Sequence, residues 1–182
     1  MGEFFLNLII INRNIDVARL LIGNGARMNL AEITGKIPLY SFFLRANYDI
    51  CIELIQNGCE INTTDRFNNS FLYTIINSKA PVKLIILLLE AGVGLREEWI
   101  VKKQYPNNML KYPKLVEAIE WRSRNPSSLK QIARRSLRSH LNKINRSKSI
   151  ISSLNRLEKQ LPRSLHNYIL LNYNELESVC LF

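Results

Sequence analysis

The 182-residue chain predicts an all-α fold, a short solenoid of stacked helix pairs followed by a small three-helix module. Three observations carry this. The first 95 residues repeat with a period of 33, pairing Asp16 with Asp49, Leu21 with Leu54, Gly25 with Gly58, Asn29 with Asn62, Leu39 with Leu72 and Tyr40 with Tyr73. Each unit holds two short apolar stretches of helical character that end on a glycine and a polar turn. Beyond residue 125 the period is gone, and SLKQIARRSLRSHL (residues 128–141) spaces its apolar residues as one face of a helix.

In the first unit the closing segment is LIGNGARMN, and the unit lacks an opening turn because Met1 falls almost at its first helix. The second unit reads as helices over Leu39–Ala46 and Tyr48–Gln56, closed by Gly58. A glycine there can take the left-handed conformation that ends a helix without a Cβ penalty. A third copy, LLEAGVGLR, ends at Gly92, one residue late, with the extra residue placed near Ser78–Pro81. Pro81 suits a first helical turn, where its missing N–H costs nothing. One such helix pair cannot bury its apolar face alone, so neighbouring units are expected to stack into one continuous core.

From residue 96 to 125 the pattern degenerates. Trp99, Ile100 and Val101 begin a last imperfect helix, and Tyr105-Pro106 and Tyr112-Pro113 interrupt the chain, because a residue before proline is pushed out of the helical region. Residues 113–122 then read as a helix that caps the stack, with Trp121 expected to pack at the junction with the next module.

Asn125-Pro126 marks the break before that module. Ser128 followed by Gln131 has the capping-box spacing, in which each side chain satisfies an unpaired backbone N–H. Leu129, Ile132, Ala133, Leu137 and Leu141 are expected to share one apolar face, with Arg134, Arg135 and Arg138 on the others. Ile150, Ile151, Leu154 and Leu157 suggest a second helix, and Leu165, Tyr168 and Ile169 a third that starts near Pro162. Three helices in about 45 residues make a small core that needs a staple or a partner. With no metal set or paired cysteines at hand, a partner is the expected solution, meeting the apolar face as a groove meets an amphipathic helix.

The net charge of +10 is concentrated: residues 122–163 hold twelve Lys or Arg and one acid, Glu158. Cys51, Cys59 and Cys180 are odd in number and lack metal-ligand spacing, which fits a reducing compartment. The start, MGEFFLNLIII, has no basic segment ahead of its apolar run, and Leu84–Leu89 is far shorter than the roughly 20 residues of a membrane span. A cytoplasmic setting is expected, with the nucleus as a second location. No cofactor, metal site or catalytic set is expected: His140 and His166 sit on amphipathic helices without a nucleophile, and Gly23-Asn24-Gly25 has Met28 where a dinucleotide loop needs its third glycine.

Residues 35–40, GKIPLY, and the closing pattern at residues 21–26, 54–59 and 88–93 resemble the ankyrin repeat. Ile37 and Ser70 replace the usual Thr, Phe71 the Pro, and Tyr40 and Tyr73 the His, so looser turns are expected. The resemblance places ligand contacts on the turn tips near residues 29–36 and 62–69, where Arg66 and Phe67 are the candidate target-binding residues. SLKQIARRSLR resembles the BC box of a SOCS box, through Ser128, Leu129, Ile132, Arg134, Leu137 and Arg138, with Ala133 where the family prefers Cys. LPRSLHNYILL resembles the closing segment of that box, through Leu161, Pro162, Leu165, Tyr168, Ile169 and Leu170, with Lys159-Gln160 where a first Leu-Pro often stands.

Together these resemble the ankyrin repeat and SOCS box family. The resemblance implies repeats over 1–95, a degenerate cap and linker over 96–125, a SOCS box over 126–173 and a tail over 174–182. It implies a non-catalytic subunit of a ubiquitin ligase. Elongin C and Elongin B would dock on Leu129, Ile132, Ala133, Leu137 and Leu141. A cullin, type 5 favoured, would come with its RING protein to Leu161, Pro162, Leu165 and Tyr168, and the repeats would hold an unidentified target protein. The competing readings are a repeat scaffold with no ligase role and a basic nucleic-acid-binding adaptor.

Overall fold

The computed structural model describes residues 14–31, 36–65, 67–125, 128–144, 150–156 and 162–170. Within them the fold is helical: α1 (Ile15–Gly23), α2 (Pro38–Leu44), α3 (Tyr48–Gln56), α4 (Phe71–Ile76), α5 (Val82–Ala91), α6 (Glu97–Ile100), a 3-10 turn at Met109–Lys111, α7 (Pro113–Arg124), α8 (Leu129–Ile144), α9 (Ile151–Arg156) and α10 (Arg163–Leu170). The described residues contain no strand longer than one isolated bridge, Thr64 to Ser70.

The closing glycines do the same work three times. Gly25, Gly58 and Gly92 have φ of 78°, 88° and 90°. After each, a backbone N–H reaches back five residues: Ala26 to Leu21 at 2.9 Å, Cys59 to Leu54 at 3.0 Å and Val93 to Leu88 at 3.0 Å. That is the Schellman bond, which satisfies a helix-end carbonyl left without a partner. A second repeated bond ties unit to unit. Asn29 Oδ1 accepts from the Glu60 N–H, and Asn62 Oδ1 from the Gly94 N–H, both at 2.8 Å. The 33-residue recurrence of asparagine therefore has a cause: each holds the loop of the following unit.

The second turn is not loose, despite its departures from the usual residues. Asp65 Oδ1 accepts from the N–H groups of Phe67 and Asn69, both at 2.8 Å, and Ser70 Oγ caps α4 by accepting from the Tyr73 N–H at 3.2 Å. A carboxylate and a serine here take over what threonine and histidine were expected to supply.

One continuous core runs from Ala18 to Ile119 and includes Leu39, Phe42, Leu54, Phe71, Leu72, Leu84, Leu88, Trp99 and Met109. Phe71 packs edge-on to Tyr40 and Phe43, with ring centroids 4.9 and 5.4 Å apart. The imperfect last helix is short: α6 buries Trp99, while Ile100 and Val101 stay exposed. Helix α7 caps the stack with Leu115 and Ile119. Trp121 does not pack at the junction as expected; it is 64% exposed. The inward-facing turn of α7 is occupied instead by Arg122, which reaches a buried carboxylate.

Gly92 has a second constraint. A Cβ there would lie 2.8 Å from Arg135 Nε and 2.9 Å from its Cδ. Gly92→Ala is expected to cost about 1–2 kcal/mol from the left-handed backbone, with Arg135 displaced as well. Gly23, inside α1, has nothing within 4 Å of such an atom, so Gly23→Ala should stabilise by about 0.4–1 kcal/mol. Urea midpoints of the two variants moving in opposite directions would verify this.

Candidate docking surface

Helix α8 spans 16 residues and begins with the expected capping box. Gln131 N–H donates to Ser128 Oγ at 3.2 Å, and Ser128 N–H to Gln131 Oε1 at 3.1 Å. Ser128→Ala should therefore cost about 1 kcal/mol of stability, read as a drop in the denaturation midpoint.

The faces of α8 are inverted relative to ordinary amphipathic packing. Leu129 is 85% exposed, Ile132 51% and Ile144 62%, and Leu137 is on the same side at 37%, while Arg134 and Arg138 are buried. Ala133 is exposed between them. Leu141, expected on the open face, turns inward and packs with Ile150, Leu154, Ile169 and Leu170 in a core of its own. The reason is geometric. Each step of four residues overshoots the 3.6-residue turn by about 40°, so the row from Leu129 through Ala133 and Leu137 has rotated about 120° by Leu141. Ile144, absent from the expected set, falls back into register with the open row.

Of the arginines expected on the faces away from the leucine row, Arg134 and Arg138 are buried because helix ends face them. Arg138 donates to the carbonyls of Ile55, Gln56 and Ile169, the Gln56 contact at 3.1 Å. These carbonyls sit in the last turns of α3 and α10, where the helix dipole favours a cation; the Ile55 carbonyl also accepts from the Gly58 N–H at 3.0 Å. Burial lowers the Arg138 guanidinium to about 10, so it stays charged at neutral pH.

Arg134 donates to Glu90 Oε2 at 2.6 Å and to the Glu90 carbonyl, in the last turn of α5, at 3.0 Å. The other Glu90 oxygen accepts from Arg122. Burial alone would raise the Glu90 carboxyl, but the charges and hydrogen bonds of Arg122 and Arg134 outweigh it and hold the carboxyl below its ordinary value. Glu90 was the missed residue of this site. A lone acid in the run VKLIILLLEA was the available signal, since a carboxylate is almost never buried without a partner. A backbone bond from Ile150 N–H to the Asn57 carbonyl, at 3.2 Å, adds a further tie between the module and the stack.

The remaining candidates divide. Pro162 is exposed and Leu165 is 37% exposed. Tyr168 is half-buried, with the Arg134 guanidinium 4.6 Å from its ring centre. Leu161 and Arg66 lie outside the described residues. Phe67, at the turn tip, is 70% exposed. It stands next to a shallow groove of about 390 Å³ lined by Thr64, Asn68, Ser70, Arg96 and Glu98. Burial pushes the Cys51 thiol up to about 12 and raises Cys59 further, which makes both poor nucleophiles. Among the described residues no group of three acidic, His or Cys side chains could hold a metal ion, and no helix is long and apolar enough to cross a membrane.

Residues 125–170 match the SOCS box family. The chain is 30% identical over 127 residues to an ankyrin repeat protein of Rickettsia bellii (strain RML369-C), an alignment covering 64% of the chain and 36% of that protein. It is 25% identical over 84 residues to an ankyrin repeat protein of Fowlpox virus (strain NVSL), covering 46% of the chain and 14% of that protein. The chain thus spans well under half the length of these curated relatives. No solved structure matches significantly.

Proposed function

We propose that this chain, which carries a SOCS box and has ankyrin-repeat relatives, is a substrate adaptor of an Elongin B/C–cullin–RING ubiquitin ligase. The observation that carries the reading is the open row on α8. Leu129, Ile132, Ala133 and Leu137 occupy BC-box positions, and all four are exposed in the isolated chain. An exposed row of large aliphatic side chains on a helix whose other face is committed is suited to a hydrophobic groove.

In this reading Elongin C takes the Leu129 row and Elongin B accompanies it. The exposed Pro162 and Leu165 face the cullin, for which type 5 is the favoured candidate. The stack, from residues 1 to 95, holds the target, with Phe67 and the neighbouring groove as the candidate contact. The SOCS box, over 126–173, does no chemistry; it brings a charged ubiquitin-conjugating enzyme near the target and supplies proximity. The nucleic-acid reading loses support. Arg134 and Arg138 are spent on buried contacts, and Arg122 and Arg124 are paired with Glu90 and Glu120, which leaves fewer cations for phosphates.

The test is reconstitution. The full chain, mixed with purified Elongin B/C, is expected to elute as one complex in size-exclusion chromatography. Adding cullin 5 with its RING protein should extend that complex, and cullin 2 should compete poorly. Separate elution of the chain and Elongin B/C at micromolar concentrations would end the adaptor reading.

A further inference from the structure

We infer that Arg134 and Arg138 are positioning residues, which fix the angle of the docking helix on the repeat stack instead of contacting the ligase partner. The inference rests on the adaptor reading only for why the angle matters; the contact itself is a property of this chain.

The geometry is specific. Viewed from α8, the two guanidiniums lie one turn apart on the same face and each engages a different unit of the stack. Arg138 meets the C-terminal turn of α3 through Ile55 and Gln56. Arg134 meets the C-terminal turn of α5 through the Glu90 carbonyl and carboxylate. Two anchor points on two consecutive units define a direction, which a single contact would not. The same two side chains also hold the third helix of the module, Arg138 through the Ile169 carbonyl and Arg134 through the face of Tyr168. Stack, docking helix and α10 therefore meet at two planar cations, through hydrogen bonds and, at Tyr168, a ring face. An apolar contact could slide by a fraction of a turn; a guanidinium with several donors in a rigid fork cannot.

Among the described residues the module's apolar core packs within the module, and its one bond to the stack is the Ile150 N–H to the Asn57 carbonyl. Its buried members are Leu141, Ile150, Leu154 and Ile169, all within the module, whereas the core of the stack ends at Ile119. Among the described residues the two hydrophobic clusters are separate, and the bonds from Arg134, Arg138 and Ile150 to the stack cross between them.

Spin labels report the angle directly. They are placed on the full chain at the exposed positions Lys79→Cys and Ser139→Cys, in a Cys180→Ser background that leaves only the two buried native thiols. Pulsed dipolar spectroscopy should give a single narrow distance peak. Arg138→Met is expected to replace that peak with a broad distribution, while Elongin B/C affinity stays within twofold of the parent. Arg138→Lys, which keeps the charge but not the fork, should broaden it less and remains informative if the methionine variant does not fold. An equally narrow peak in Arg138→Lys and in any folded Arg138→Met sample would overturn the inference. So would a loss of Elongin affinity that tracks the broadening, since the arginines would then be holding the helix together and not aiming it. If the parent itself fails to bind Elongin B/C, the adaptor reading falls while the distance measurement still decides the positioning role.

Discussion

Leu129→Ala is expected to weaken Elongin B/C binding by on the order of 2–4 kcal/mol, the cost of truncating an aliphatic anchor in a desolvated pocket. At about 1.4 kcal/mol per decade this is roughly a 30- to 1,000-fold rise in Kd. The same substitution should barely alter folding. Leu129 is 85% exposed in the isolated chain, and exposed positions away from special features typically shift stability by no more than about 0.5 kcal/mol. The combination separates binding from stability in one variant. Calorimetric titration measures the first and urea denaturation the second. An unchanged Kd would remove Leu129 from the interface. A parallel loss of stability would mean that the residue packs somewhere within the chain. Ile144 offers an independent check: it shares the open row, so Ile144→Ala should also weaken binding, although no family motif points to it.

Glu90→Ala is expected to be the most destabilising single change, by about 3–5 kcal/mol, because it leaves buried charge without its counter-ion. The Glu90 and Arg134 side chains are 3% and 1% exposed, and Arg122 is only 18% exposed. Removing the carboxylate strands two guanidiniums at once. Replacing the Glu90–Arg134 pair together, as Glu90→Leu with Arg134→Met, should cost clearly less than the sum of the single changes. A double variant as unstable as that sum would show that the pair is not coupled. The carboxylate also sets a pH dependence. The Glu90 pKa is lowered by folding, so the stabilisation is in full force above the ordinary glutamate range. It is withdrawn as pH falls through the lowered value. Urea midpoints measured at decreasing pH should fall for the parent, with part of that fall absent in Glu90→Ala.

These two residues illustrate how differently parts of the site could be read in advance. Leu129 was legible because its row follows helical spacing and coincides with a motif. Glu90 offered only the signal of a lone acid in an apolar run; its role was not legible, because the arginines that cover it lie 32 and 44 positions away. Trp121 was misjudged for the opposite reason. A large apolar side chain invites a buried assignment, but its neighbour Arg122 has the stronger claim on the inward direction.

Sequence alone determined the repeat, its glycine caps, the cap of α8 and the approximate bounds of α2, α3 and α7, because these depend on bonds between residues a few positions apart. Tertiary structure alone decided that the arginine row of α8 is buried against the stack. Leucine and arginine rows both fit a helix, and the choice went to arginine because open helix ends in the stack present carbonyls that need donors. That demand belongs to the assembled stack and is written in no single segment of the chain.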